Sequence, residues 1–202
     1  FVRWETTGGV AVSDENAVST MVTVLGNGTL RVVGNVKKLE YAYDHENPQS
    51  QSEKAGHIDA VRFTPFFSGQ LLTARYYMYY LSSYQSNTFT VHVMDKGWDD
   101  LITPFNVTPT SEGWFDVDLS SHNISVNEGE DFYIGIEWIN NYNPSLGEDR
   151  TNVSYRSWHW DEVHWDAEEY SDFMIRAVAG TTTPEIVVGV KAGDWAGYGD
   201  VS

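Results

Sequence analysis

Along Gly129 to Asn140 apolar and polar positions alternate, with Phe132, Ile134, Ile136 and Trp138 on one side and Tyr133, Gly135 and Glu137 on the other. A period of two is that of a β-strand with one face buried and one partly wet, and this stretch predicts the central strand of the chain. The same alternation over Gly113 to Leu119 sets Phe115, Val117 and Leu119 against Trp114, Asp116 and Asp118, ahead of a polar corner at Ser120 to Asn123. Two such strands in succession predict a β-meander. Upstream, Ile58 to Thr64 alternates until Pro65, and Phe89 to Met94 offers Phe89, Val91 and Val93 as a core face. Leu71 to Leu81 sets Arg75, Tyr77, Tyr79 and Leu81 against Tyr76, Met78 and Tyr80, and aromatics on both faces predict cover on both. Val153 to Trp160 and Phe173 to Ala179 complete the set. Tyr41 to His57, Lys96 to Pro109 and Asn140 to Asn152 have no usable period and predict loops, and Asp161 to Asp172 carries six acidic residues around Trp165 and Tyr170.

Both ends of the chain stand apart from this pattern. Val18 to Leu25 and Leu30 to Val33 flank Gly26-Asn27-Gly28, a run tolerant of positive φ that predicts a hairpin over 18–33. Phe1 to Gly9 predicts a short terminal strand with Val2 and Trp4 on one side. Beyond Phe173 to Ala179 a Thr-Thr-Thr-Pro spacer leads into the apolar run Ile186 to Val190, which has no evident partner inside a sandwich. The expected organisation is therefore a β-sandwich over 1–180, with its core at 41–178, then a linker and terminal strand over 181–202. That strand is expected to be donated to a neighbouring subunit or domain, with Val2, Trp4, Ile186, Val187, Val188 and Val190 making the contacts. The closing GVKAGDWAGYGDVS resembles linker or domain-start sequences of archaeal surface proteins.

Composition narrows the function. Of 202 residues, 29 are Asp or Glu and 12 Lys or Arg, a formal net charge of −17, which argues against binding a phosphate backbone or an anionic membrane surface and favours divalent cations as counter-charge. There is no cysteine, hence no disulfide, thiolate metal site or thiol nucleophile. No stretch approaches the roughly 18 apolar residues of a membrane-spanning helix. The chain starts at Phe1 without an initiator Met, so it is expected to be a processed or excised segment. Asn27, Asn106, Asn123 and Asn152 each open an Asn-x-Ser/Thr sequon, as in exported glycoproteins.

No catalytic motif emerges. A Gly-x-Ser-x-Gly elbow is absent and the six His have no triad spacing, while acidic pairs for glycosidase chemistry are too common here to single one out. His159 and His164, with Asp161 and Glu162 between them, do not match His-Glu-x-x-His and read as a solvated strand end. Calcium, which takes oxygen ligands from irregular loops, is the expected ion. Its candidate ligands are Asp44, Glu46, Asp95, Asp99, Asp100, Glu130, Asp131, Glu148, Asp149 and Asp161; no EF-hand spacing is present, and each is also readable as a solubilising surface charge. Trp98, Trp158, Trp160 and Trp165 are the candidates for stacking on sugars, against the alternative that they cap the core.

GWFDVDLSSHNISV, GEDFYIGIEW, NPSLGEDR and SDFMIRAV resemble the C-terminal half of secreted jelly-roll β-sandwiches of bacterial and archaeal exported and cell-surface proteins, including modules attached to secreted peptidases. AVRFTPFFSGQLLTARYYMYYLSS and FTVHVMDKG resemble the first half, so the resemblance spans roughly Tyr41 to Val178. In that family an acidic turn, usually Asp-Asp-Gly, follows a Tyr-rich strand end, and Tyr43-Asp44-His45-Glu46 departs from it. The resemblance implies an all-β, jelly-roll-like sandwich of two antiparallel sheets and a non-catalytic accessory or surface role. The expected function is a structural subunit or module of an extracellular assembly or filament, joined by strand exchange and stabilised by calcium, with no organic cofactor, no nucleic-acid partner and contacts to copies or neighbouring domains. The alternative is a carbohydrate-binding accessory module of a secreted hydrolase.

Overall fold

The structure, a computed structural model, describes residues 3–16, 22–34, 38–180 and 186–191. The chain divides into two compact units, Lys38–Thr182 and Phe1–Lys37 with Thr183–Ser202. The second unit contains a three-stranded antiparallel sheet in which β2 (Val22–Gly34) lies between β1 (Arg3–Val12) and the last strand, β17 (Ile186–Lys191). The hairpin expected at Gly26-Asn27-Gly28 is not there; the run lies inside β2. Its register against β1 passes from Gly8↔Gly28 to Val10↔Val24, so three residues of β2 oppose Gly9 alone. Gly8 has φ 64°, and the glycines serve a bulge instead of a turn. The apolar run Ile186 to Val190 finds its ladder in its own chain, from Ile186↔Gly34 to Lys191↔Thr29. Of the expected assembly residues, Val2 lies outside the described residues and Trp4 sits in β1 opposite Val32.

The larger unit is an all-β, jelly-roll-like sandwich of two antiparallel sheets. One has eight strands: β3 (Leu39–Tyr41), β4 (Gln49–Gln51), β6 (Gly69–Tyr80), β9 (Gly113–Asp118), β10 (Ser125–Val126), β12 (Ser145–Asp149), β15 (Asp172–Phe173) and β16 (Ile175–Gly180). The other runs β14 (Trp165–Ala167), β13 (Ser157–Trp160), β5 (Ile58–Phe63), β11 (Phe132–Trp138), β7 (Phe89–Asp95), β8 (Phe105–Val107). β11 is central, paired with β5 on one side and β7 on the other. Phe89, Val91 and Val93 stand opposite Trp138, Ile136 and Ile134 and share their face. The Phe89 ring meets Tyr76 of the facing sheet edge-on at 5.0 Å, which makes that face the inner one. The Tyr76 hydroxyl donates to the Gly135 carbonyl at 3.0 Å and the Trp138 indole N–H to the Pro144 carbonyl at 2.7 Å, which satisfies two polar atoms that this layer buries.

Several expectations change in detail. The outer face of β11 is dry except at Glu137, because Tyr133, Ala60 and Met94 lie under Trp98, Trp158 and Trp165. The meander does not form: β9 pairs with β6 in the eight-stranded sheet and β11 belongs to the opposite one, the chain crossing by a 3-10 turn at Ser120–His122 and β10. Alternation reports which face a side chain takes and carries nothing about which strand lies beside it. On β6, Tyr76 and Met78 are enclosed, whereas Tyr79 and Tyr80 emerge at the strand end. The expected loops contain β4, β8 and β12, and β3 ends on Tyr41, where the first of them begins. β12 is buried throughout and escapes a hydrophobic reading because its interior positions include Ser145, Glu148 and Asp149. At Gly147 a Cβ would lie 2.9 Å from both Met174 Sδ and Tyr77 Cδ1, so only glycine passes there.

Candidate functional site

The edge of the six-stranded sheet at β13 and β14 gathers the chemistry. Period-two alternation sends Trp158 and Trp160 to the outer face of β13 and Ser157 and His159 to the inner one. On the outer side Trp98 is sandwiched between Tyr133, at 3.8 Å and 28°, and Trp165, at 4.0 Å and 13°. Trp158 meets Trp98 edge-on at 5.5 Å, and Trp160 leans on Trp165 at 5.7 Å and 40°. All four expected Trp therefore belong to one half-buried ridge. Trp98 and Trp165 are parallel but stacked on each other, so what they present to solvent is ring edges, not a pair of adjacent flat faces. The Trp158 indole N–H is buried without a hydrogen-bond partner. Trp114 lies apart, covered by the guanidinium groups of Arg176 at 4.1 Å and Arg75 at 5.4 Å.

On the inner side the register places His159 opposite Asp59. Asp59 Oδ1 is 2.6 Å from His159 Nδ1, and the carboxylate is wholly enclosed. Burial pushes the Asp59 carboxyl up to about 6, the hydrogen bond and charge of His159 opposing it. For His159 burial disfavours the charged ring, but the bond to Asp59 and the charges of Asp59, Glu53 and Asp161 outweigh it and the pKa is raised. His159 Nε2 lies 3.2 Å from His57 Nδ1, which lies 3.2 Å from Glu53 Oε2. Gln51 holds the other Glu53 oxygen at 3.0 Å. His159 and His164 do not meet: His164 pairs with Asp161 and Asp166, both on its own hairpin.

The ten expected calcium ligands are dispersed. Asp44 and Glu46 both clamp Arg176, which also takes Glu40 and whose pKa is raised by these bonds. Asp149 spends its oxygens on the backbone N–H groups of His45, Asn47 and Thr151, which depress its pKa against the cost of burial. Glu148 pairs with Arg150, and Asp100 with the half of His92 that Glu137 does not hold. Asp95 accepts the N–H groups of Gly97 and Asp99, and Asp161 those of Val163 and His164. Asp131 accepts from Thr64, and Glu130 is paired with Lys96 at 3.1 Å. Asp95, Glu130 and Asp131 line one groove of about 230 Å³. Among the described residues, the group whose three ligand atoms all fall within 4.8 Å is Glu53, His57 and His159.

Of the sequon residues, Asn106 is exposed on β8, Asn123 and Asn152 are exposed at φ 54° and 53°, and Asn27 is in β2. Sequence reasoning passed over Glu53, His57 and Asp59, since a 102-residue separation between His57 and His159 leaves no motif. It also passed over Tyr84 and Tyr142, 95% and 59% exposed, whose loops are tied by Asn140 and Asn143 side chains donating to the Ser86 carbonyl. Among the described residues no helix is long and apolar enough to cross a membrane.

No protein-family model and no curated protein matches the chain. Solved structures similar to it include a clostridial cysteine protease, Cwp84, in the form that follows propeptide cleavage, with a TM-score of 0.51 at 12% identity over 72% of this chain and 41% of that one. Another is the structure of "the cysteine protease and lectin-like domains of Cwp84, a surface layer associated protein of Clostridium difficile", at a TM-score of 0.48 and 13% identity, over 72% and 36% of the two chains. This chain thus spans under half the length of either structure, and at this identity the likeness is one of fold.

Proposed function

We propose that this chain is a non-catalytic accessory module of an exported cell-surface protein and that it contacts polysaccharide through the tryptophan ridge on β13 and β14. The observation that carries the reading is the ridge itself: four half-buried indoles collected on one sheet edge. The fold likeness to part of a clostridial cysteine protease is in keeping with a module carried by a larger protein, and the absence of cysteine means that this segment has no thiol for that protease's chemistry. The test is affinity electrophoresis on neutral polysaccharides. Retardation by at least one of them is expected, and Trp160→Ala should remove it while leaving the near-ultraviolet spectrum of the Trp98 stack. Undiminished retardation in Trp160→Ala would discard the ridge as the binding face.

Calcium belongs to the same proposal at the groove of Asp95, Glu130 and Asp131, where it competes with the Lys96 ammonium. Lys96→Met should raise calcium affinity in titration calorimetry; unchanged heats would remove that groove from consideration.

A second reading, structural assembly, is favoured by β17. Six of its residues pair with β2, a ladder that a neighbouring copy can supply as well as the chain's own terminus. Deleting Pro184 to Ser202, or Phe1 to Gly9, should abolish assembly seen by light scattering and leave a soluble sandwich. Retained assembly in both truncations defeats strand exchange.

A further inference from the structure

We propose that Glu53, His57 and His159 form a binding site for a divalent transition ion, zinc above all, with Asp59 as the group that orients His159. The two readings of function above do not bear on it, since it lies on the opposite face of β13 from the tryptophan ridge.

The distances suit a metal as well as a hydrogen-bonded chain, and the count of protons decides between them. His57 Nδ1 faces two neighbours at the same separation, His159 Nε2 at 3.2 Å and Glu53 Oε2 at 3.2 Å. A neutral His159 that gives its Nδ1 proton to Asp59, 2.6 Å away, keeps a lone pair on Nε2 aimed at His57. A neutral His57 has one N–H at most on Nδ1. Given to Glu53 it leaves His159 unserved, and given to His159 it sets the nitrogen's own environment against a carboxylate. A cation held between the three atoms satisfies them together. Tetrahedral zinc with bonds of about 2.0 to 2.1 Å sets its ligand atoms about 3.3 Å apart, close to both measured edges.

The donor set chooses the ion. Two imidazoles and one carboxylate suit zinc and its neighbours in the first transition row, whereas calcium and magnesium ask for oxygen throughout. Three protein ligands leave a fourth position for water or for a donor from a partner. The outer shell is already in place: Asp59 is fully buried on β5, fixes the tautomer and ring plane of His159, and receives Gln51 Nε2 at 3.4 Å, while the same amide holds Glu53 Oε1 at 3.0 Å. The ligands come from two places that only the β5–β13 register joins. Glu53 and His57 lie on the turn entering β5, which is closed by the His57 N–H on the Lys54 carbonyl and the Gly56 N–H on the Trp138 carbonyl; His159 lies on β13. Bound zinc would staple that turn to the sheet edge.

The test uses untagged protein stripped with chelator, titrated with zinc and, separately, with cobalt. One equivalent of either should bind, cobalt with the intense visible absorption of a tetrahedral site, and zinc should raise the melting temperature. His57→Gln and His159→Gln should each abolish the cobalt spectrum, Asp59→Asn should weaken zinc about 10- to 100-fold, and His164→Gln should change nothing. Circular dichroism of each metal-free variant separates loss of a ligand from loss of the fold; a variant that fails to fold is replaced by Glu53→Gln, on the outer turn, which should weaken zinc. An unaltered cobalt spectrum in His159→Gln, or binding that follows His164, overturns the proposal. So does a cobalt spectrum that an equal concentration of calcium erases, since an oxygen-seeking ion should not displace cobalt from two imidazoles.

Discussion

At the scale of single residues, two side chains show what this sandwich asks of polar and aromatic groups. Asp149 is buried in β12 and accepts three backbone N–H groups from two segments, so its charge is held by backbone dipoles. Asp149→Ala leaves those donors to water, since His45, Asn47 and Thr151 are exposed residues, and is expected to cost about 1–3 kcal/mol in all. Its depressed pKa fixes the pH sign. The stability it contributes is present above the ordinary carboxylate range and is lost as pH falls through the folded value, so the stability gap between wild type and Asp149→Asn should close on acidification. Denaturant titrations at neutral and at acid pH measure that gap, and a gap that widens in acid would contradict the assignment. Across the ladder, Asp172 runs the other way: burial raises it, against the bonds from Ser154, and its effect grows less favourable as pH rises. Trp98, held at φ 70° between two rings, is the second case. Trp98→Ala should cost about 3 kcal/mol and strip the cover from Tyr133; a loss below about 1 kcal/mol in a denaturant melt would mean that the ridge is not part of the core.

At the scale of elements, what alternation could reveal was the face of each strand. Phe89, Val91 and Val93, and Phe132, Ile134, Ile136 and Trp138, are buried together as their spacing implies. What it could not reveal was strand order, which depends on the crossing at Ser120–His122, or a strand such as β12 whose interior is polar and glycine-bearing. The ridge was half legible, because Trp158 and Trp160 share a face by parity, whereas the approach of Trp98 from the β7 loop and of Glu53 and His57 from the turn before β5 is set by pairing between distant segments. The terminal strand is the element whose role can be tested in isolation. With β17 removed, β2 presents bare N–H and C=O groups from Thr29 to Gly34. A chain ending before Pro184 should bind a synthetic Ile186–Lys191 peptide and regain the melting behaviour of the full chain. A truncated chain that ignores the peptide and melts unchanged would show that this ladder contributes nothing, and the assembly reading would fall with it.

At the scale of the molecule, charge decides which polysaccharides the proposed ridge contact could accept. A net charge of −17 on 202 residues repels an anionic glycan over the screening length of about 8 Å at physiological salt, and stacking edges on an indole ridge add no cation to offset it. Arg176, Arg75 and Arg150, which would otherwise attract acidic sugars, are each paired with carboxylates of the chain. A neutral polymer meets none of this repulsion and its contact is dominated by apolar and hydrogen-bonding area, which salt leaves nearly unchanged. Retardation on neutral polysaccharide is therefore expected to be the same in low salt and at about 0.5 M, where the screening length is a few ångströms. An anionic polysaccharide should bind only when a divalent cation bridges the two acidic surfaces, and chelator should release it. Strong binding to an anionic polymer in the presence of chelator would overturn the proposal of an acidic module for neutral glycans.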